Sequence, residues 1–223
     1  MSEDYPLHID LHTHTHYSHD SILTPEGLVR ACQRTGINCV AVTDHNTITG
    51  ALKVKELAPF EVIIGEEIRS AEGEVIGLFL TEEVPPDLTA EETIERVRAQ
   101  GGFVSLPHAV DRFRGGVGDD RFARLAPLAD MVEVMNARTT VAADNKKAAR
   151  LAVEYDLIPI AVTDAHSSWE IGRAYTEAPA FDGKDGFLDA MRSGRPIGKE
   201  ATRFVHMISR YAVFRRKMGW RPA

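Results

Sequence analysis

His8-Ile-Asp10-Leu-His12-Thr-His14-Thr-His16-Tyr-Ser18-His19-Asp20 holds five of the nine histidines in this chain of 223 residues. From residue 7 to residue 14 the pattern alternates, with Leu7, Ile9 and Leu11 on one side of an extended strand and His8, Asp10, His12 and His14 on the other. Such a strand has an apolar back and a front of metal-binding type. Imidazole and carboxylate are the usual ligands of zinc, manganese and iron, and two histidines at i and i+2 on a strand can reach one ion. A polar strand face or a purification tag would be the plainer account. Tags, however, are uninterrupted histidine runs, and ionisable groups crowded on one core-facing side repel one another unless a cation lies among them.

Working outward, the length fits one domain over residues 1–223, since α/β barrels commonly run to about 200–250 residues as a single unit. A hydrophobic content of 43% with 26% charged residues is ordinary for a water-soluble globular chain. The net charge of −7 argues against nucleic-acid backbone as the main partner, because that affinity comes from many Lys and Arg side chains neutralising phosphates. A small anionic substrate held by a few local cations stays compatible with it. Cys32 and Cys39 form no Cys-x-x-Cys pair and read as buried, reduced thiols. No apolar leader or membrane-length apolar run is present in the sequence, and a cytoplasmic location is expected.

Strands and helices alternate along the chain. Thr24-Pro25 opens a helix expected over 25–35, which Gly36 ends. Strands are expected at 38–42, 61–64, 75–80, 103–106, 131–134 and 158–162, with helices over 47–57, from Thr89 to Gln100, from Val141 to Tyr155 and over 185–192. A basic amphipathic helix over about 201–218 closes the chain, its basic face and His206 expected to meet solvent. Val40-Ala-Val-Thr-Asp-His45 is echoed by Ile160-Ala-Val-Thr-Asp-Ala-His166, which marks two strands used in the same way.

Polar groups follow the apolar strands: His12 and His14, Asp44-His45, Glu66-Glu67, His108, Glu133 to Arg138, and Asp164 with His166. In a mainly parallel sheet closed into a barrel, the carboxyl ends of all strands share one rim. Residues remote in sequence then meet in one bowl. Leaving so many acid and imidazole groups there without partners would be costly.

Five signatures in order, Asp10-Leu-His12-Thr-His14, Thr43-Asp44-His45-Asn46, Gly65-Glu66-Glu67-Ile68, Leu106-Pro107-His108 and Thr163-Asp164-Ala165-His166, resemble the PHP family, named for polymerase and histidinol phosphatase domains. The resemblance covers about residues 7–200. It implies a distorted (β/α)7 TIM-like barrel and a site for two or three divalent ions, manganese, iron or zinc. His12, His14, Glu67 and Asp164 would hold one ion, Glu67 would bridge to a second bound by His108, and Asp20, His45 and His166 would hold the third. Where many members have a histidine after the bridging glutamate, this chain has Glu74, which either supplies a carboxylate to the second ion or leaves that ion loosely held. His19 competes with Asp20 for the third site. The candidate catalytic residues are Asp164, His166 and Glu67.

The implied activity is hydrolysis of a phosphoester, a small phosphomonoester of nucleotide or histidinol-phosphate type, by a metal-bound hydroxide. Arg112, Arg114, Arg138 and Arg173 follow strands or site motifs and could grip the phosphate, with Arg138 and Arg114 foremost, and Asn136 could orient it. The expected partner is thus a small phosphorylated molecule, neither a membrane nor long nucleic acid; the sequence leaves the oligomeric state open. Two rivals remain: a metal-dependent C–N hydrolase on a similar barrel, and a metal-stabilised binding module without turnover.

Overall fold

In the computed structural model, residues 6–111, 119–199 and 205–220 are described. Nine strands form one sheet, and the first seven wrap into a distorted barrel. β1 (Leu7–Asp10) pairs in parallel with β2 (Cys39–Val42), and β2 with β3 (Glu61–Ser70). β4 (Gly73–Leu78) runs antiparallel to β3 and to β5 (Phe103–Leu106). β5, β6 (Met131–Asn136) and β7 (Ile158–Val162) are parallel again.

The closing seam is asymmetric. At the rim, β1 and β7 continue toward each other: the amide of Asp164 donates to the His12 carbonyl at 2.8 Å, that of His14 to the Ala165 carbonyl at 2.9 Å, and Thr13 bridges Ala165 in parallel. Lower down, β8 (Ala174–Ala178) pairs antiparallel with β1 and occupies the gap, with β9 (Arg195–Gly198) on its outer edge. The Ala161 amide reaches β8 through Thr176 Oγ1 at 3.0 Å. The barrel is therefore nearly closed, and its closure is tightest at the level of His12 to His14.

Helices pack outside for local reasons that the sequence announces. α1 (Pro25–Thr35) starts with Thr24 accepting from the Gly27 amide and Pro25 in the first position, and ends where Gly36 takes φ 80°. α2 (Thr49–Leu57) covers β2 and β3. α3 (Ala90–Ala99) carries a reciprocal cap between Thr89 and Glu92. α4 (Asp119–Leu125), α5 (Ala142–Glu154) and α6 (Phe187–Arg192) follow, and α7 (Val205–Lys217) is last.

Strand residues alternate between two apolar environments. Cys39 and Ala41 face the barrel interior with Ile9, Leu11, Ile63, Ile76, Ile158 and Ile160, while Val40 and Val42 face Leu28, Cys32, Ala51 and Val54 of the helices. Phe187 of α6 is fully buried at the interior's floor, its ring against Phe79, Phe103 and Phe181. With that end filled by aromatic rings, the polar residues collect at the opposite end.

The structure alters several expectations. The regular pairing of the first strand stops at Asp10, so its polar face does not run on to residue 14 as one strand. His8 lies at the far end, 3.6 Å from Glu177 and with its ring 4.5 Å from that of Tyr175, because a strand rises about 3.3 Å per residue and carries it away from the rim. β3 extends to Ser70, placing Glu67 inside a hairpin instead of at a strand terminus. That same reversal brings the amino end of β4, with Glu74, to the rim. β9 gave no recognisable strand pattern in the sequence. The expected helix over 201–218 is observed as α7 at 205–217, and its basic face is only partly in solvent, because Arg216 bonds the carbonyls of His16 and Ser18. The side chain of His206 lies outside the described residues.

Candidate metal centre

Glu67 is the hub. Its Oε2 lies 3.4 Å from His12 Nε2, 3.2 Å from His14 Nε2 and 3.1 Å from His45 Nδ1, and its Oε1 lies 3.1 Å from His108 Nε2. One carboxylate thus touches four imidazoles contributed by three separate segments. Asp164 joins from the β7 side, with Oδ1 3.7 Å from His12 Nε2 and 3.5 Å from His14 Nε2. Asp20 spans the other edge, 3.0 Å from His166 Nε2 and 3.5 Å from His45 Nε2. Glu74 stands 3.6 Å from His108 Nε2 and 3.9 Å from His45 Nδ1. All nine expected ligands therefore lie in one constellation. His19 sits exposed at its margin, its ring 5.3 Å from that of His45.

The outer bonds of the histidines determine what faces inward. His12 Nδ1 donates to Glu133 Oε1 at 2.6 Å, His14 Nδ1 to Ser18 Oγ at 3.0 Å and His166 Nδ1 to the Asp164 carbonyl at 2.8 Å. In a neutral imidazole this leaves the Nε2 lone pair of each directed into the cluster. The Nε2 atoms of His12 and His14 then approach to 2.9 Å with lone pairs opposed. A cation between or beside them resolves that conflict. A further buried atom points the same way: among the described residues Asp20 Oδ1 has no hydrogen-bond partner. The donor set, five imidazoles with Asp20, Glu67, Glu74 and Asp164, fits a cluster of borderline divalent ions.

Charge balance agrees. Burial lowers the pKa of His12, but the carboxylates of Asp164, Glu67 and Glu133 more than offset it and hold it well above the usual imidazole value. Burial likewise raises that of Glu67, and His12 and His45 reverse it to well below the carboxylate range. The carboxylates thus give the pocket a field that favours positive charge, carried by a proton on His12 or by a divalent ion in its place. His166 is different: burial and the nearby Arg138 guanidinium push it down to about 3, so its ring is neutral and its lone pair available.

Two of the ligands sit on strained backbone. Asp164 has φ 56° and His108 φ 27°, both in the left-handed region that non-glycine residues avoid at a cost of order 1 kcal/mol. Asp44 and Asp10 are buried acids of another kind, holding the loops and not the cluster. Asp44 accepts from the Thr15 and Ser18 amides and hydroxyls, and Asp10 from the Thr163 amide and hydroxyl. The two Thr-Asp motifs of the sequence echo therefore bracket the β1 extension, one from β2 and one from β7.

Of the residues expected to meet substrate, Asn136 donates to Glu133 at 2.8 Å and to Asp164 at 3.0 Å, so it locks the cluster's carboxylates. Arg138 is buried, with Nε 3.3 Å from Glu170 Oε1 and Nη2 donating to Ser209 Oγ at 2.9 Å. Arg173 is exposed and donates to the Trp169 carbonyl, outside the constellation. Arg112 and Arg114 lie outside the described residues. Sequence reasoning placed Glu133 in the bowl but missed its bond to His12, and it missed Ser18 altogether. A serine four residues after a ligand histidine was the available signal.

The profile of the PHP domain matches residues 10–133, and that of a PHP-associated region matches 142–196. The chain belongs to the PHP family. Uncharacterized protein MJ1587 of Methanocaldococcus jannaschii is 42% identical over 142 residues, 57% of this chain and 81% of that protein. Among solved structures, PsfC from Pseudomonas syringae superposes with a TM-score of 0.65 at 17% identity, covering 97% of this chain and 100% of that one. The lesion-specific endonuclease EndoQ from Pyrococcus furiosus gives 0.63 at 16% identity, covering 86% of this chain and 57% of that one. At these identities both show the PHP barrel fold. Family membership together with the donor cluster supports metal-dependent hydrolytic activity. Among the described residues, no helix is long and apolar enough to cross a membrane.

Proposed function

We propose that this PHP protein is a metal-dependent phosphoesterase acting on a small phosphomonoester at a cluster of two or three divalent ions. The observation that carries it is the 2.9 Å approach of His12 and His14 Nε2 atoms whose other ring nitrogens are already committed. His12, His14, Glu67 and Asp164 would hold one ion; Glu67, His108 and Glu74 a second; Asp20, His45 and His166 a third. Ions held there would supply Lewis acidity, activating water and polarising a phosphoryl group. Glu74 in place of histidine makes the second position richer in oxygen, which favours manganese or iron over zinc.

The chain's own residues keep that arrangement fixed. Glu133 and Ser18 orient His12 and His14, and Asn136 ties Glu133 to Asp164, so these three ligands are each held by a partner outside the cluster. A cleft of about 330 Å³, lined by His19, Asp20, His45, Glu67, Glu74 and others, opens the cluster to solvent and is of a size for one phosphoryl group and part of its ester. The reduced, deeply buried thiols fit residence in the cytoplasm.

The test is hydrolysis of a phosphoester panel by manganese-loaded protein, wild type beside His12→Ala and Asp164→Ala. Metal-dependent turnover lost in both variants is expected. Absence of turnover across the panel, or turnover that survives both substitutions, would sink the reading.

A further inference from the structure

Beyond both family-matched segments lies α7, and two ties fasten it at the edge of the rim where Asp20, His45 and His166 meet. Toward its carboxyl end, Arg216 Nη2 donates to the carbonyl of His16 and, at 2.8 Å, to that of Ser18. Toward its amino end, Ser209 accepts from Arg138 Nη2 at 2.9 Å, and Arg138 Nε lies 3.3 Å from Glu170 Oε1. The other oxygen of Glu170 takes the His166 amide at 3.1 Å and the Ser167 hydroxyl at 2.8 Å. The helix therefore reaches one side of this edge through the loop that carries Asp20, and the other through the loop that carries His166. Those two side chains are themselves 3.0 Å apart.

The three proposed ion positions differ in what supports their ligands. Glu133 orients His12 and takes the His108 amide, Asn136 holds Asp164, and Glu67 and Glu74 stand within paired strands. All of these supports belong to the barrel. Asp20, by contrast, ends a turn outside any strand, and the hold on that turn is divided. Asp44 takes the amides of Thr15 and Ser18, whereas Arg216 takes the carbonyls of His16 and Ser18. Ser18 is the pivot: its Oγ lies 3.0 Å from His14 Nδ1, takes the His45 amide at 3.0 Å, and stands two residues before Asp20. A guanidinium suits the task, since its planar fork presents several fixed donors to neighbouring carbonyls.

We infer that α7 completes the third ion position: Arg216 and Ser209 are positioning residues that hold the Asp20 and His166 loops for an ion shared between them, while the barrel by itself supports the other two positions. The inference rests on the reading of the cluster as three ion positions. Charge sharpens it. Arg216 is a cation bonded two residues from a proposed ligand, and by Coulomb repulsion alone it opposes the binding of another cation there. Its presence favours an ion only if fixing the loop outweighs that repulsion. The rival account is that Asp44 and Ser21 already hold the loops and α7 only covers the barrel. Ser21 Oγ does donate to the His14 and His166 carbonyls at 3.0 and 3.1 Å. The two accounts predict opposite signs when the Arg216 charge is removed.

The experiment counts manganese per chain in the full-length protein by elemental analysis, at a manganese concentration just sufficient to fill the wild type. Arg216→Met keeps the apolar stem and removes the donors and the charge. It should hold one ion fewer, with the apparent Kd of that ion raised about 10–100-fold and the others unchanged. Anomalous scattering from manganese-soaked crystals should place the loss at Asp20, His45 and His166. Arg216→Lys, whose ammonium keeps the charge and three donors, should recover most of the binding. Lys217→Met, which removes an exposed cation from the same turn, should keep the wild-type count. The metal-free forms of these variants should melt with the metal-free wild type; should Arg216→Met not fold, Ser209→Ala, which cuts the other tie, carries the same test. Tighter or unchanged binding in the variant, uniform weakening of every ion, or loss of an ion elsewhere in the cluster overturns the role of α7. A wild type that binds no manganese removes the cluster reading and this inference with it, whereas a full wild-type set that survives in the variant removes the role of α7 alone.

Discussion

Glu133 Oε1 lies 2.6 Å from His12 Nδ1, across 121 positions of the chain, and this contact decides which nitrogen of His12 faces the cluster. The same carboxylate takes the amide of His108 at 2.8 Å on its other oxygen, so one side chain of β6 aligns two ligands. Glu133→Gln should lower metal affinity by roughly 10–100-fold, as loss of such an outer partner commonly does. Competition with a chromogenic chelator measures it. An affinity equal to wild type would mean that His12 is aligned by packing alone.

Metal removal should destabilise the fold. At about 100 times its dissociation constant, a ligand that binds only the folded state contributes roughly 2.7 kcal/mol, which for a chain of this size is of order 5–10 °C in Tm. Treatment with a strong chelator is expected to lower Tm by that much, and added manganese to restore it. A Tm indifferent to both treatments would contradict a shared ion cluster.

Gly50→Ala sets two effects against each other. Alanine favours a helix over glycine by about 1 kcal/mol, and Gly50 lies in the first turn of α2. A Cβ there, however, would collide with the Asp44 carboxylate and Thr15 Oγ1. Both are buried and bonded to each other, so they have little room to move, and overpacking of this kind costs about 1–3 kcal/mol. Net destabilisation is expected by thermal melting, together with a loss of bound metal, since Asp44 holds the loop that leads to Asp20.

The two thiols should be inert in the native state. Burial pushes Cys32 up from an ordinary 9.0 to about 12 and raises Cys39 as well. An acid with a raised folded pKa contributes stability that is complete below its unfolded value and is lost as pH climbs through the folded one. The chain should therefore lose stability in alkali from about pH 9 upward. Ellman titration at pH 8 should find no reactive thiol until denaturant is added, and then both. Rapid labelling of native protein would refute their burial.

Much of this architecture was legible in local signals. Thr24-Pro25 and Gly36 bounded α1, Thr89 with Glu92 bounded α3, and the run of His, Asp and Glu after apolar segments located the rim. What escaped was set by long-range pairing. The reversal at residues 71–72, polar and short, turned an expected strand end into a hairpin, so Glu67 is inside a strand and Glu74 reaches the rim from an antiparallel one. β9 is short and half-exposed and owes its shape to β8, which no periodicity in Arg195–Gly198 reveals. Arg138 looked available for substrate because its partners, Glu170 and Ser209, lie 32 and 71 residues away. α7 read as a solvated basic helix for the same reason.

The seam between β1 and β7 joins only where His12, His14 and Asp164 stand, with β8 wedged in below it. The proposed ion ligands and the last stitch of the wall thus occupy the same few residues. Because that stitch is made by main-chain atoms, it tolerates replacement of the side chains it carries, so a descendant that had stopped turning anything over could shed these histidines and still keep the cylinder shut.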